Sequence, residues 1–156
     1  MKKILVLMIA LLAVTTTVSA QKVSREEQAN AMIDMMRMFA PVGKEFAVMT
    51  YPVTWRQYRV ISGKKLPKGT SIMSVVMLSS PEQKKVAEAM TKNDGNGVKY
   101  RVATSAELQK ALQKRINISS EAGPHTHVTK GFYLAISYND YLKIQQMLQF
   151  IGEGRG

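Results

Sequence analysis

The chain of 156 residues contains no cysteine. That absence excludes disulfides, thiolate metal sites, thiol nucleophiles and thiol–disulfide exchange, so stability has to come from core packing alone. Aromatic residues make up only 7%, with one tryptophan, and there are two histidines. Acids are scarce too, with 11 Asp and Glu against 22 Lys and Arg. Several of those acids fall at helix starts, which leaves few carboxylate pairs for glycoside chemistry. No Gly-rich phosphate loop, G-x-S-x-G elbow or H-E-x-x-H occurs, so hydrolase readings lack a starting residue.

One long apolar run is present, from Ile4 to Val14, preceded by Met1-Lys2-Lys3 and followed by Val18-Ser19-Ala20. A basic start, a short apolar middle and a small-residue end are the three parts of a secretory signal peptide, and the run is too short for a retained spanning helix. Residues 1–20 are therefore expected to be cleaved and the protein exported, to a periplasm or beyond. With no cysteine after the cleavage point, neither a lipid anchor nor stable membrane insertion is expected. The rest divides into an N-terminal helix and linker (21–44), one compact domain ending in a helix (45–151) and a frayed tail (152–156).

Taking away Lys2 and Lys3 leaves 20 basic residues against 11 acids. This balance favours an acidic partner. The densest basic groups are Lys64-Lys65 with Lys68, and Lys84-Lys85. No Lys/Arg run is interleaved with aromatics, which argues against nucleic acid. An anionic envelope polymer or an acidic protein is the expected partner.

Helix starts are legible from four sequences of capping-box type, in which a hydroxyl and a carboxylate or amide three residues on satisfy each other's backbone N–H groups. They are Ser24–Glu27, Thr54–Gln57, Ser80–Gln83 with Pro81 at the first helical position, and Thr104–Glu107. After the first, Ala29, Met32, Ile33, Met36 and Phe39 or Ala40 form one apolar stripe that ends before Pro41-Val42-Gly43. Met35 and Met38 widen it into a methionine-rich face, suited to a core or to an adaptable partner surface. Strands are expected over 45–51, 72–78, 98–102 and 128–137, from alternation or continuous apolar character. Asn93 to Gly97 reads as a turn, since one carboxylate is too little charge for a calcium loop. Asn139 or Asp140 is expected to cap the last helix.

Two further features bear on function. Trp55 is a core aromatic or a binding platform. His125 and His127, on a strand, would point to one face as two metal ligands do, although Glu121 is the nearest acid and a surface loop is the simpler reading.

Several stretches also resemble one family. Val53-Thr54-Trp55-Arg56-Gln57-Tyr58 is similar to the "EVT-x-x-Q-Y" signature of the formylglycine-generating, sulfatase-modifying domain, and Val75 to Met90 to its "PVV-x-V-S-W-x-D-A" segment. Tyr100 to Leu108 resembles "Y-R-L-P-T-E-A-E-W", keeping Tyr100, Arg101, Thr104, Ala106 and Glu107, with Ala103, Ser105 and Leu108 as departures. Gly131-Phe132 answers to the closing "GFR", or Val128 to Gly131 to "V-x-R-G-G". The resemblance implies an α+β, C-type-lectin-like fold with an antiparallel sheet, two to three packed helices and a C-terminal helix. It also implies copper- and oxygen-dependent oxidation of a substrate cysteine by enzyme cysteines, which this cysteine-free chain cannot perform. The family's long central segment is missing as well. A non-catalytic binding or scaffold protein without a cofactor is the resulting expectation, with Trp55, Lys64, Lys65, Lys68, Arg101, His125 and His127 as ligand-binding candidates. The alternatives are a metal-dependent enzyme using His125 and His127, and an accessory subunit docking through the methionine-rich or final helix.

Overall fold

At the start of the first helix the Ser24 hydroxyl accepts the Glu27 N–H at 3.1 Å, as the capping sequence requires. This computed structural model describes residues 23–119 and 131–153. Helix α1 (Arg25–Arg37) buries Ala31, Met32, Ile33, Met35 and Met36, so its methionine face is spent inside the molecule. The helix stops at Arg37, and Phe39 opens strand β1 (Phe39–Val42) instead of extending the stripe. Two bonds explain the change. The Thr50 N–H and hydroxyl both donate to the Met38 carbonyl, at 2.8 and 3.0 Å, and Pro41 disfavours a helical residue before it. The linker expected at Pro41-Val42-Gly43 is thus a strand end and a turn, with Gly43 at φ 60°.

Strand β2 (Phe46–Met49) returns antiparallel to β1, pairing Val42 with Phe46 and Phe39 with Met49. Helix α2 (Trp55–Ser62) follows, with the Gln57 side chain accepting the Thr54 N–H at 3.0 Å and Gly63 closing it at φ 70°. The remaining elements are α3 (Ser80–Asn93), β3 (Arg101–Val102), α4 (Ser105–Gln113), β4 (Leu134–Ser137) and α5 (Tyr138–Glu153). The strands form one antiparallel sheet in the order β1-β2-β4-β3. The described residues therefore make an α+β fold of five helices and a four-stranded antiparallel sheet.

Alternation along the strands sends side chains to two cores. Phe39, Ala47, Met49, Leu134 and Ile136 join α1, α2, α3 and α5 on one face. Val42, Phe46, Val48 and Ala135 meet Ala111 of α4, Ile116 and Ile118 on the other. The sheet is thus covered on both faces.

Three expected elements take other forms. No strand forms over 72–78, where Ile72 and Met73 are exposed and Val75 and Leu78 make only isolated bridges, that of Val75 to Thr54. The carbonyls of Ile72 and Ser74 accept the Arg56 and Trp55 N–H groups instead, so the first turn of α2 claims what a ladder would have used. The third cap lies one residue earlier than expected: Ser79 is the N-cap, its hydroxyl donates to Glu82 at 2.9 Å, and Pro81 is the second residue of α3. For α5, the Ser137 hydroxyl accepts the Asp140 N–H at 3.1 Å. Asp140 is not the cap because its carboxylate accepts the Lys99 N–H at 3.0 Å. The strand expected over 128–137 is seen as β4, and its first part lies outside the described residues.

Candidate functional site

The stretch from Tyr100 to Leu108 builds one wall of a cleft. Tyr100 is buried, and its hydroxyl donates to Asp94 at 2.9 Å. The other Asp94 oxygen accepts the Asn96 N–H at 2.8 Å. Asp94 is therefore committed to closing the 93–97 turn and anchoring Tyr100. Burial, then the neighbouring Asp94 carboxylate, push the Tyr100 phenol well above its ordinary value.

One residue on, Arg101 grips Glu107 with its two terminal guanidinium nitrogens, at 2.5 and 2.6 Å. Glu107 also accepts the Thr104 N–H, and the Thr104 hydroxyl accepts the Glu107 N–H. Strand end, cap and helix start are thus tied by a single carboxylate. Partial burial opposes charge on Glu107, but the Arg101 bonds and the Thr104 N–H outweigh it and hold the carboxyl below its usual range. The sign follows: a depressed folded value stabilises the fold above the ordinary carboxylate range, and that contribution is lost as pH falls through the folded value. In Glu107→Gln, the part of the acid destabilisation through and below the ordinary carboxylate range that belongs to this group disappears. Urea unfolding followed across that range checks it, and an unchanged acid slope would contradict the lock.

The cleft encloses about 580 Å³ between α3, β3, the start of α4 and Gly131–Tyr133. Ala87, Val102, Leu108 and Phe132 supply apolar lining, while Ser80, Lys84, Glu88, Arg101 and Ser105 bring polar groups to it. Lys84 is exposed and enters no ion pair among the described residues. Glu88, of opposite charge, lies one turn further along α3.

Of the expected binding residues that are described, Arg101 alone lines this cleft. Lys64, Lys65 and Lys68 are exposed on the loop after Gly63 and line neither this cleft nor a second groove of about 350 Å³ between α1 and α2. That groove holds the Asp34–Arg56 pair at 2.8 Å, with Met38 and Met73 beside it. Trp55 is half-buried against the core, edge-on to Tyr58 with centroids 5.2 Å apart, so it packs and presents no open platform to either space. His125 and His127 lie outside the described residues. Among the described residues no three His, Asp or Glu side chains gather to hold a metal ion.

Sequence reasoning noticed Lys84 only as part of a basic pair and missed the apolar lining. The spacing of Ser80, Lys84, Ala87 and Glu88 along one side of α3 was the available signal. No protein-family model, curated protein or solved structure matches the chain.

Proposed function

We propose that this chain is an exported, non-catalytic binding or scaffold protein on a reduced sulfatase-modifying, C-type-lectin-like domain, and that the cleft between α3, β3 and α4 receives an acidic partner of the cell envelope. The observation that carries the reading is the cleft itself. It joins an apolar lining to Lys84, which has no ion-pair partner among the described residues, and to an Arg101 held in place by Glu107. A preset guanidinium and an exposed ammonium beside apolar surface suit an anionic group carried on a partly apolar ligand. Support for the family comes from the location of the resemblance: the Tyr100–Leu108 stretch is the strand, cap and helix that frame the cleft, and Gly131-Phe132 faces it. Here the stretch explains itself by capping and ion pairing, and oxidation through cysteine is not open to this chain.

Titration with poly-L-glutamate at low salt tests the reading. Lys84→Glu weakens binding about tenfold, equivalent to about 1.4 kcal/mol. Replacing Lys64, Lys65 and Lys68 together with glutamate changes it by no more than about twofold after allowance for net charge. The reverse ranking would move the site to the lysine loop and end the cleft reading.

A further inference from the structure

The register of β3 leaves a single backbone rung open to the cleft. Arg101 faces Ala135 and Val102 faces Leu134. The Ala103 N–H donates to the Tyr133 carbonyl at 2.8 Å, so the odd-numbered residues of β3 bond to β4 and the even-numbered ones turn their N–H and C=O groups away from it. Tyr100 is the first of these, and α3 satisfies it. The Tyr100 N–H donates to the Thr91 hydroxyl at 2.8 Å, and that hydroxyl lies 3.1 Å from the Tyr100 carbonyl. Thr104 is the last, and it is closed by its own helix: its N–H goes to Glu107 and its carbonyl accepts from Leu108. Between them the Val102 N–H and C=O have no partner among the described residues, and Val102 lines the cleft.

We propose that the cleft binds an extended acidic peptide segment, which adds to the β3 edge by exchanging backbone hydrogen bonds with Val102. The proposal rests on the cleft reading above and deepens it by naming the ligand class. Edge strands with free N–H and C=O groups recruit extended chains in this way. The surroundings fit the addition, because α3 covers one face of the sheet and α4 the other, and β3 ends the sheet between them. Side chains of an added strand alternate between those two walls. One set meets Lys84 and Ala87, the other Ser105 and Leu108. Charge complementarity selects an acidic residue for the first set, since Lys84 has no ion-pair partner among the described residues. The closed rungs at Tyr100 and Thr104 fix the register to one residue and keep the edge from recruiting long strands.

The test uses the purified protein labelled with ¹⁵N and the peptide acetyl-Val-Thr-Glu-Val-Thr-amide, beside oligogalacturonate as an anionic ligand without a peptide backbone. The peptide shifts the Val102 amide and slows its hydrogen exchange. Analogues N-methylated at one residue at a time lose affinity in an alternating pattern, with at least one position costing about fivefold or more. Val102→Pro, which removes only an outward-facing donor, lowers peptide affinity to a similar extent. Should that variant fail to fold, the methylation pattern decides on the unaltered protein. Affinity that is uniform across the methylated series, or shifts confined to residues away from the cleft, overturns strand addition. Binding of oligogalacturonate without the peptide also overturns it while leaving the acidic-cleft reading in place. Binding of neither overturns both.

Discussion

Leu134→Ala lowers the free energy of unfolding by about 2–5 kcal/mol, a large share of the roughly 5–15 kcal/mol that holds a domain together. Leu134 is 0% exposed and sits on β4, the strand that joins β2 to β3. Removing its branch deletes apolar contacts and leaves a cavity, and the rigid ladders on either side limit how far the site can collapse. Leu142→Ala provides the contrast: this leucine is 49% exposed on the outer side of α5, and its loss changes stability by no more than about 0.5 kcal/mol. Urea denaturation with an unchanged m-value measures both. Equal effects at the two positions would mean that the sheet centre is not the core.

The same burial explains which parts of the fold were legible in the sequence. Ser24, Thr54 and Thr104 announce helix starts because a cap is a local bargain between residues three apart, complete before any tertiary contact forms. The shifted start at Ser79 marks the limit of that logic. Ser79 and Ser80 offer the same hydroxyl, and the choice falls to Glu82, whose carboxylate accepts a hydrogen bond from the Ser79 hydroxyl, while Gln83 is buried with its amide on the Leu78 carbonyl. Strands were harder to read. Ile72 to Leu78 looks like a buried strand by composition, but a strand is defined by its neighbour, and the neighbour here is the first turn of α2 drawing on the Ile72 and Ser74 carbonyls. Phe39 was read into a helix for the opposite reason, since its pairing with Met49 depends on a turn at Gly43 that apolar periodicity does not record.

The site was half visible. Arg101 stood out as one of the residues that the Tyr100–Leu108 stretch shares with the sulfatase-modifying motif, and its ion pair with Glu107 is a contact between residues six apart. The cleft did not stand out, because it is a gap. Alongside Thr91, α3 is bonded to β3, whereas alongside Val102 no such bond is made. Whether two elements touch or part at a given residue is set by packing across the whole layer, which no window of sequence contains. Lys64, Lys65 and Lys68 cluster in sequence on an exposed loop that lines neither groove, whereas Lys84 lies on the wall of the cleft.

Tyr100→Phe tests how that opening is held, and it should cost about 1.5–3 kcal/mol at neutral pH, the usual range for a hydrogen bond to a charged group. The phenol hydroxyl and the Asp94 carboxylate that accepts it are both buried. Deleting the hydroxyl therefore leaves a buried anionic oxygen short of one donor. The pH dependence distinguishes this bond from simple packing. Burial, Asp94 and more distantly Asp140 all raise the folded phenol above its ordinary value, so the folded state holds the proton more tightly than the unfolded chain. Stability from this group is then present below the unfolded value of about 10 and declines as pH rises beyond it. The phenylalanine variant has no such decline. Its deficit against the wild type, measured by chemical denaturation at neutral pH and again above about pH 10, should shrink at the higher pH. A constant deficit would assign the effect to packing alone. The same variant loosens the Asp94 turn and with it the Tyr100 rung that Thr91 closes, so the Val102 edge loses its fixed register and the affinity for the acidic peptide falls together with the stability. Loss of stability with unchanged peptide affinity would separate the Tyr100 anchor from the cleft.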